Sequence, residues 1–177
     1  MRVTFPRLPD HERAWALVER DDGVVYRLHG GIAGPRLPHD IVHLIVEREL
    51  GVTDGIWAGI ASGVVFRSMT HISGRRPPHA ADRSARLLRE FRAPGLRAEL
   101  LADLVTSTAA LDNPSPGQIR LLATRRLAAL PDADVDPVAV AAAAQAVQVE
   151  AARWARLRVG EEVRYDWPSR TTRTRCS

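Results

Sequence analysis

At 177 residues, 45% of them hydrophobic and 26% charged, the chain is long enough to bury a core and has the balance of a globular protein. No apolar run approaches the ~20 residues of a membrane span and the first residues, Met1-Arg2-Val3-Thr4-Phe5-Pro6, lack the apolar stretch of a secretory signal, so a cytoplasmic location without a membrane partner is expected. The one cysteine, Cys176, excludes an internal disulfide and a cysteine-based zinc site, and the net charge of +4, all of its cations arginine, is too small to imply nucleic-acid binding unless the arginines cluster on one face.

The first 30 or so residues read as strands. Val3 and Phe5 alternate with polar neighbours. Trp15 to Arg20 and Val24 to Leu28 flank Asp21-Asp22-Gly23, a strong hairpin signal because Asp and Gly tolerate the positive φ of a tight turn. Gly30-Gly31 and Gly34-Pro35 end this section. Pro38 then opens a helix that runs to about Leu50 and stops at Gly51. Asp54 is an expected N-cap for a second helix, from about Gly55 to Ser68, in which Gly55, Gly59 and Gly63 recur every four residues. Glycine costs about 1 kcal/mol per helical site, so the repeat implies a close approach to that face, by another helix or by a partner.

Ser73 to Pro78 is a turn. Helices are expected over Ala80–Arg92, burying Leu87, Leu88 and Phe91, and over Leu96–Leu111, burying Leu100, Leu101, Leu104 and Val105. Ser115-Pro116-Gly117-Gln118 forms a capping box for a helix to Leu130 that ends at Pro131. Asp136-Pro137 opens an alanine-rich helix to about Leu157. Val163, Tyr165 and Trp167 alternate with Arg164 and Asp166 in a last half-buried strand. The expected fold is α+β, one domain over residues 1–168. A small antiparallel sheet, the N-terminal hairpin plus the C-terminal strand, packs with about five or six helices, and residues 169–177 form a disordered polar tail.

The chemistry concentrates in Pro38-His39-Asp40-Ile41-Val42-His43-Leu44-Ile45-Val46-Glu47. With His39 at zero on a helical wheel, His43, Glu47 and Asp40 fall at about 40°, 80° and 100°. Apolar residues occupy most of the remaining circumference, so the polar stripe is expected to be largely buried, and buried ionisable groups need partners, protons or metal. His39 and His43 are one turn apart, ~6 Å along the axis, and can share one ion, zinc or another divalent metal. Glu47, ~12 Å from His39, is too far to join them on one ion. It is expected to orient His43 or to pair with an arginine. The third ligand is open among His29, His71 and Asp54, and Asp40 is a further supporting carboxylate. The structural alternative is a polar stripe without metal, in which Asp40 complements the helix dipole and His43 is a satisfied core histidine. His11 and His79 lie near turns and are read as surface residues.

His39-Asp40-Ile41-Val42-His43 resembles the His-Glu-x-x-His helix of the zincins, with Asp40 in the place of the general base. Asp is one methylene shorter, which disfavours peptidase chemistry. The same residues resemble the His-Asp-x-x-His helix of a family of ubiquinone-biosynthesis proteins. That motif continues with a Glu twelve residues after the second histidine, where this chain has Gly55, with Asp54 one short. More broadly, Leu37 to Glu47, Leu50-Gly51 and the following Gly-Ile-Trp-Ala-Gly resemble an uncharacterised family of small proteins from high-GC bacteria, over the first 75 or so residues.

Two functions stay open from the sequence. One is a small metal-binding protein, hydrolytic or lyase-like, with His39 and His43 as ligands and Asp40 and Glu47 in support. The other is a non-enzymatic interaction module. It would meet a protein or nucleic-acid partner through the Gly55/Gly59/Gly63 face, which could also join a second copy, or through the arginine-rich helix Ala80–Arg92 with Arg83 and Arg86. Nucleotide-binding and serine-nucleophile motifs are absent.

Overall fold

The computed structural model describes residues 1–130 and 134–168. The expected tail, 169–177, and the expected helix stop at Pro131 lie outside the described residues. The fold is α+β: a five-stranded antiparallel sheet with six helices.

The strands are β1 (Arg2–Pro6), β2 (Arg13–Glu19), β3 (Val25–Ile32), β4 (Met69–Ser73) and β5 (Glu162–Asp166), in the order β4-β3-β2-β1-β5. The hairpin turns where Asp-Gly requires it, with Gly23 at φ 78°, and Val18 stands opposite Tyr26. β5 joins β1 antiparallel, Val3 opposite Tyr165 and Phe5 opposite Val163, as the alternation of the last strand implies. The helix expected to run through Ser68 ends at Ser62, and β4 is a strand that the sequence expectation lacked. Gly63, at φ 116°, ends that helix in the left-handed region, and the chain then pairs with β3 as an edge strand. Of β4 only Met69 is buried, so the strand has almost no apolar alternation by which to be recognised.

The helices are α1 (His39–Glu49), α2 (Ile56–Ser62), α3 (Ala80–Glu90), α4 (Arg92–Ala109), α5 (Pro116–Arg126) and α6 (Pro137–Trp154). The capping box of α5 forms in full, with Ser115 accepting from the Gln118 N–H and Gln118 accepting from the Ser115 N–H. Asp136 caps α6 by accepting from Val138 N–H. α4 starts four residues earlier than expected. α3 buries only Ser84, leaving Leu87, Leu88 and Phe91 half-buried.

α1 is the central helix. Ile41, Leu44, Ile45 and Val46 are at most 1% exposed and belong to one hydrophobic cluster with Val3, Phe5, Trp57, Leu104, Val105 and Val140. α4 and α6 pack against α1, with Ala98 and Ala102 on the buried side of α4. This packing brings Glu99, beside Ala98 on α4, to the first turns of α1.

Candidate metal centre

The N-terminal half of α1 presents two imidazoles to one carboxylate. His43 Nε2 lies 3.0 Å from His39 Nε2, and each is 3.3 Å from Glu99 Oε2. Among the described residues these three form the one group of His, Cys, Asp and Glu side chains close enough to hold an ion together. The triangle has the right size. A tetrahedral zinc with bonds of about 2.0–2.1 Å holds neighbouring ligand atoms about 3.3 Å apart. The three members differ in exposure: the His43 side chain is 1% exposed, those of His39 and Glu99 66% and 54%.

The electrostatics favour the neutral form of His43. Burial holds the His43 imidazole below its usual pKa and His39 reinforces that shift, while the Glu99 carboxylate opposes it. A neutral imidazole is the form that ligates metal. Its Nδ1 is buried and has no hydrogen-bond partner among the described residues, so the ring is held by packing and not by an acceptor behind it.

Asp40 is not a member of this triangle. Its carboxylate lies against β3, 2.9 Å from where a side-chain carbon on Gly30 would stand. Burial raises its pKa, His39 lowers it, and Glu99 raises it further. The backbone carbonyl of Asp40 accepts from the indole of the fully buried Trp57 at 3.0 Å, which ties the first turn of α1 to α2.

Glu47 has a different role from either expected one. Its carboxylate accepts from the backbone N–H groups of Ile56 at 2.7 Å and Trp57 at 3.0 Å, at the N-terminus of α2. A side chain from another helix thus supplies the cap expected of Asp54, while Gly55 occupies the N-cap position. Burial pushes the Glu47 carboxyl up to about 7, although hydrogen bonds from Ile56, Trp57 and Ala58 pull it down. Asp54 lies 3.8 Å from Arg97 in an exposed ion pair. His29 and His71 face Thr70 and the Gly74 carbonyl on the sheet. None of these three is in the triangle.

The glycine repeat of α2 meets three neighbours from within the chain. Gly55 leaves room for the Glu47 carboxylate, a side-chain carbon on Gly59 would stand 3.2 Å from the Phe91 ring, and one on Gly63 would stand 3.4 Å from the Arg83 guanidinium. Arg83, Arg86 and Arg89 are exposed along α3.

Glu99 is the residue that sequence reading missed. It stands 56 positions from His43, on a helix whose pattern announces only an apolar face. No local spacing links it to the histidines, and only the packing of α4 on α1 does so. No family model matches the chain, and no curated protein or solved structure matches it. The residues themselves therefore bear the functional argument.

Proposed function

We propose that the protein binds one zinc ion through His39 Nε2, His43 Nε2 and Glu99 Oε2, and that the site is of the catalytic kind. The observation behind this reading is the triangle of 3.0, 3.3 and 3.3 Å. Without a cation, the two Nε2 atoms carry at most two ring protons between them, and the three contacts cannot all be satisfied at once, because a proton on both nitrogens leaves the His39–His43 contact as two facing donors. With a cation, all three lone pairs are used at their natural separation.

Two nitrogens and one oxygen suit zinc among the divalent metals. Structural zinc sites are closed by four protein ligands, whereas catalytic ones keep a position open. Among the described residues three ligands are present, two of them on exposed side chains, which favours the open kind. A zinc ion so held would polarise a bound water or a carbonyl oxygen, the chemistry of hydrolases and lyases. Burial of His43 disfavours its charged form, and α1, pinned by Trp57, fixes the one-turn spacing of the two imidazoles.

Metal analysis by mass spectrometry of the purified chain tests this. About one zinc per chain is expected in the wild type and none in the His39→Ala/His43→Ala variant. A wild-type protein that takes up no zinc from an excess would contradict the reading.

A further inference from the structure

The two edges of the sheet are unlike. β5 forms one edge and exposes Glu162, Arg164 and Asp166 along it, charges of the kind that keep an edge strand from pairing with another chain. β4 forms the other. Its residues, Met69-Thr70-His71-Ile72-Ser73, include no carboxylate, arginine, lysine or proline, and all but Met69 are exposed, Ile72 to 47%. Among the described residues its close packing is with β3 alone.

The main chain of β4 is set to receive a strand. The His29 N–H donates to the Ser68 carbonyl at 2.8 Å, so the alternation of antiparallel pairing turns Thr70 towards β3 and directs the Met69 carbonyl and both main-chain groups of His71 outward. The His71 side chain is occupied within the chain: Nε2 donates to the Gly74 carbonyl at 2.9 Å, and the ring packs edge-on to Tyr26 with 5.7 Å between centres. Gly74, at φ 84°, has no room for a side chain against the Gly23 carbonyl, and this close approach pins the end of β4 to the β2–β3 turn. The edge is therefore fixed before a partner arrives, which lowers the ordering cost of binding.

Charge decides which strand fits. Arg67 precedes β4 and Arg75 and Arg76 follow it; all three are exposed and form no ion pair among the described residues. A second copy of β4, paired antiparallel about the central His71, would set Arg67 opposite Arg75 at both ends, and like charges directly opposite destabilise a strand pair. A strand with carboxylates at its ends meets the opposite sign there. We propose that β4 is a docking edge for an acidic extended segment of a partner protein, which adds to the sheet as a further strand and sets its carboxylates against Arg67, Arg75 and Arg76. The docking edge uses none of the metal-centre residues and does not depend on the zinc reading.

The probe is a capped peptide of alternating Thr and Val with acidic residues at both ends, titrated into the full chain while the backbone amide signals are followed by NMR. The His71 amide is expected to shift and its hydrogen exchange to slow by about tenfold or more as it gains a main-chain partner. Neither a peptide with lysines in place of the acids nor an acidic peptide N-methylated at the residues that face β4 is expected to bind. Arg75→Gln/Arg76→Gln, two exposed substitutions, is expected to weaken the acidic peptide by about fivefold. No slowing at His71, or equal binding of the lysine or the N-methylated peptide, would overturn the proposal. So would a dimer of the peptide-free protein in sedimentation whose His71 amide is already protected, because the edge would then belong to a second copy.

Discussion

At the C-terminal end of α1 Glu47 is buried and its carboxylate is hydrogen-bonded by two backbone N–H groups of α2. At the N-terminal end His39 and His43 share the same stripe and converge on Glu99, where three lone-pair atoms meet and at most one proton bridges any two of them. The first end is a closed structural joint. The second is open to solvent on two sides and has spare acceptor capacity. The contrast shows that a buried polar stripe is not one site: what faces each residue decides whether it holds the fold together or is free to bind something else.

If that contrast is right, substitutions at the two ends separate stability from metal binding. The largest loss of stability is expected from Glu47→Ala. It leaves two buried N–H groups unpaired and opens a cavity, at about 3 kcal/mol or more, read by chemical denaturation. A related test uses pH. The folded Glu47 carboxyl titrates at about 7 against 4.5 as the ordinary value, so the folded state holds this proton more tightly than the unfolded chain. Its contribution to stability is full below pH 4.5 and is lost as pH rises through 7, a fall on the order of a few kcal/mol. Glu47→Gln, a neutral isostere, should flatten that part of the pH profile, read by chemical denaturation over the same pH range.

Gly55→Ala strikes the same joint from the other side. Its added carbon would occupy the space of the Glu47 carboxyl group, and a cost of about 2 kcal/mol is expected in thermal unfolding. Glu99→Gln is expected to change the stability of the metal-free protein least, within about 0.5 kcal/mol, because the side chain is half-exposed. The same variant should weaken zinc binding by roughly 100-fold in a competition titration with a chelator. A variant set in which Glu47→Ala abolished zinc binding in folded protein, or Glu99→Gln unfolded the chain, would erase the distinction between the two ends.

Much of the fold was legible because its signals are local. Asp-Gly marks the hairpin, Ser115-Pro116-Gly117-Gln118 marks a helix start, and Val163, Tyr165 and Trp167 mark the strand that pairs with β1. β4 was not legible, since an exposed edge strand with one buried residue has no pattern to read. For the site, the one-turn spacing of His39 and His43 was visible in the sequence, and so was the burial of the stripe, which covers His43 and Glu47. Glu99 and the true contacts of Glu47 were invisible, because both depend on which helix packs opposite. Glu47 looked like a neighbour of His43, but one further turn of helix carries it to the start of α2.

The most direct test of the metal centre is the X-ray absorption spectrum of the zinc-loaded protein at the zinc edge. Two imidazole nitrogens, one carboxylate oxygen and water oxygen at about 2.0–2.1 Å are expected, with the carboxylate contribution lost in Glu99→Gln. A spectrum with one imidazole or none, or one unchanged by Glu99→Gln, would contradict the assignment of His39, His43 and Glu99 as a single zinc site.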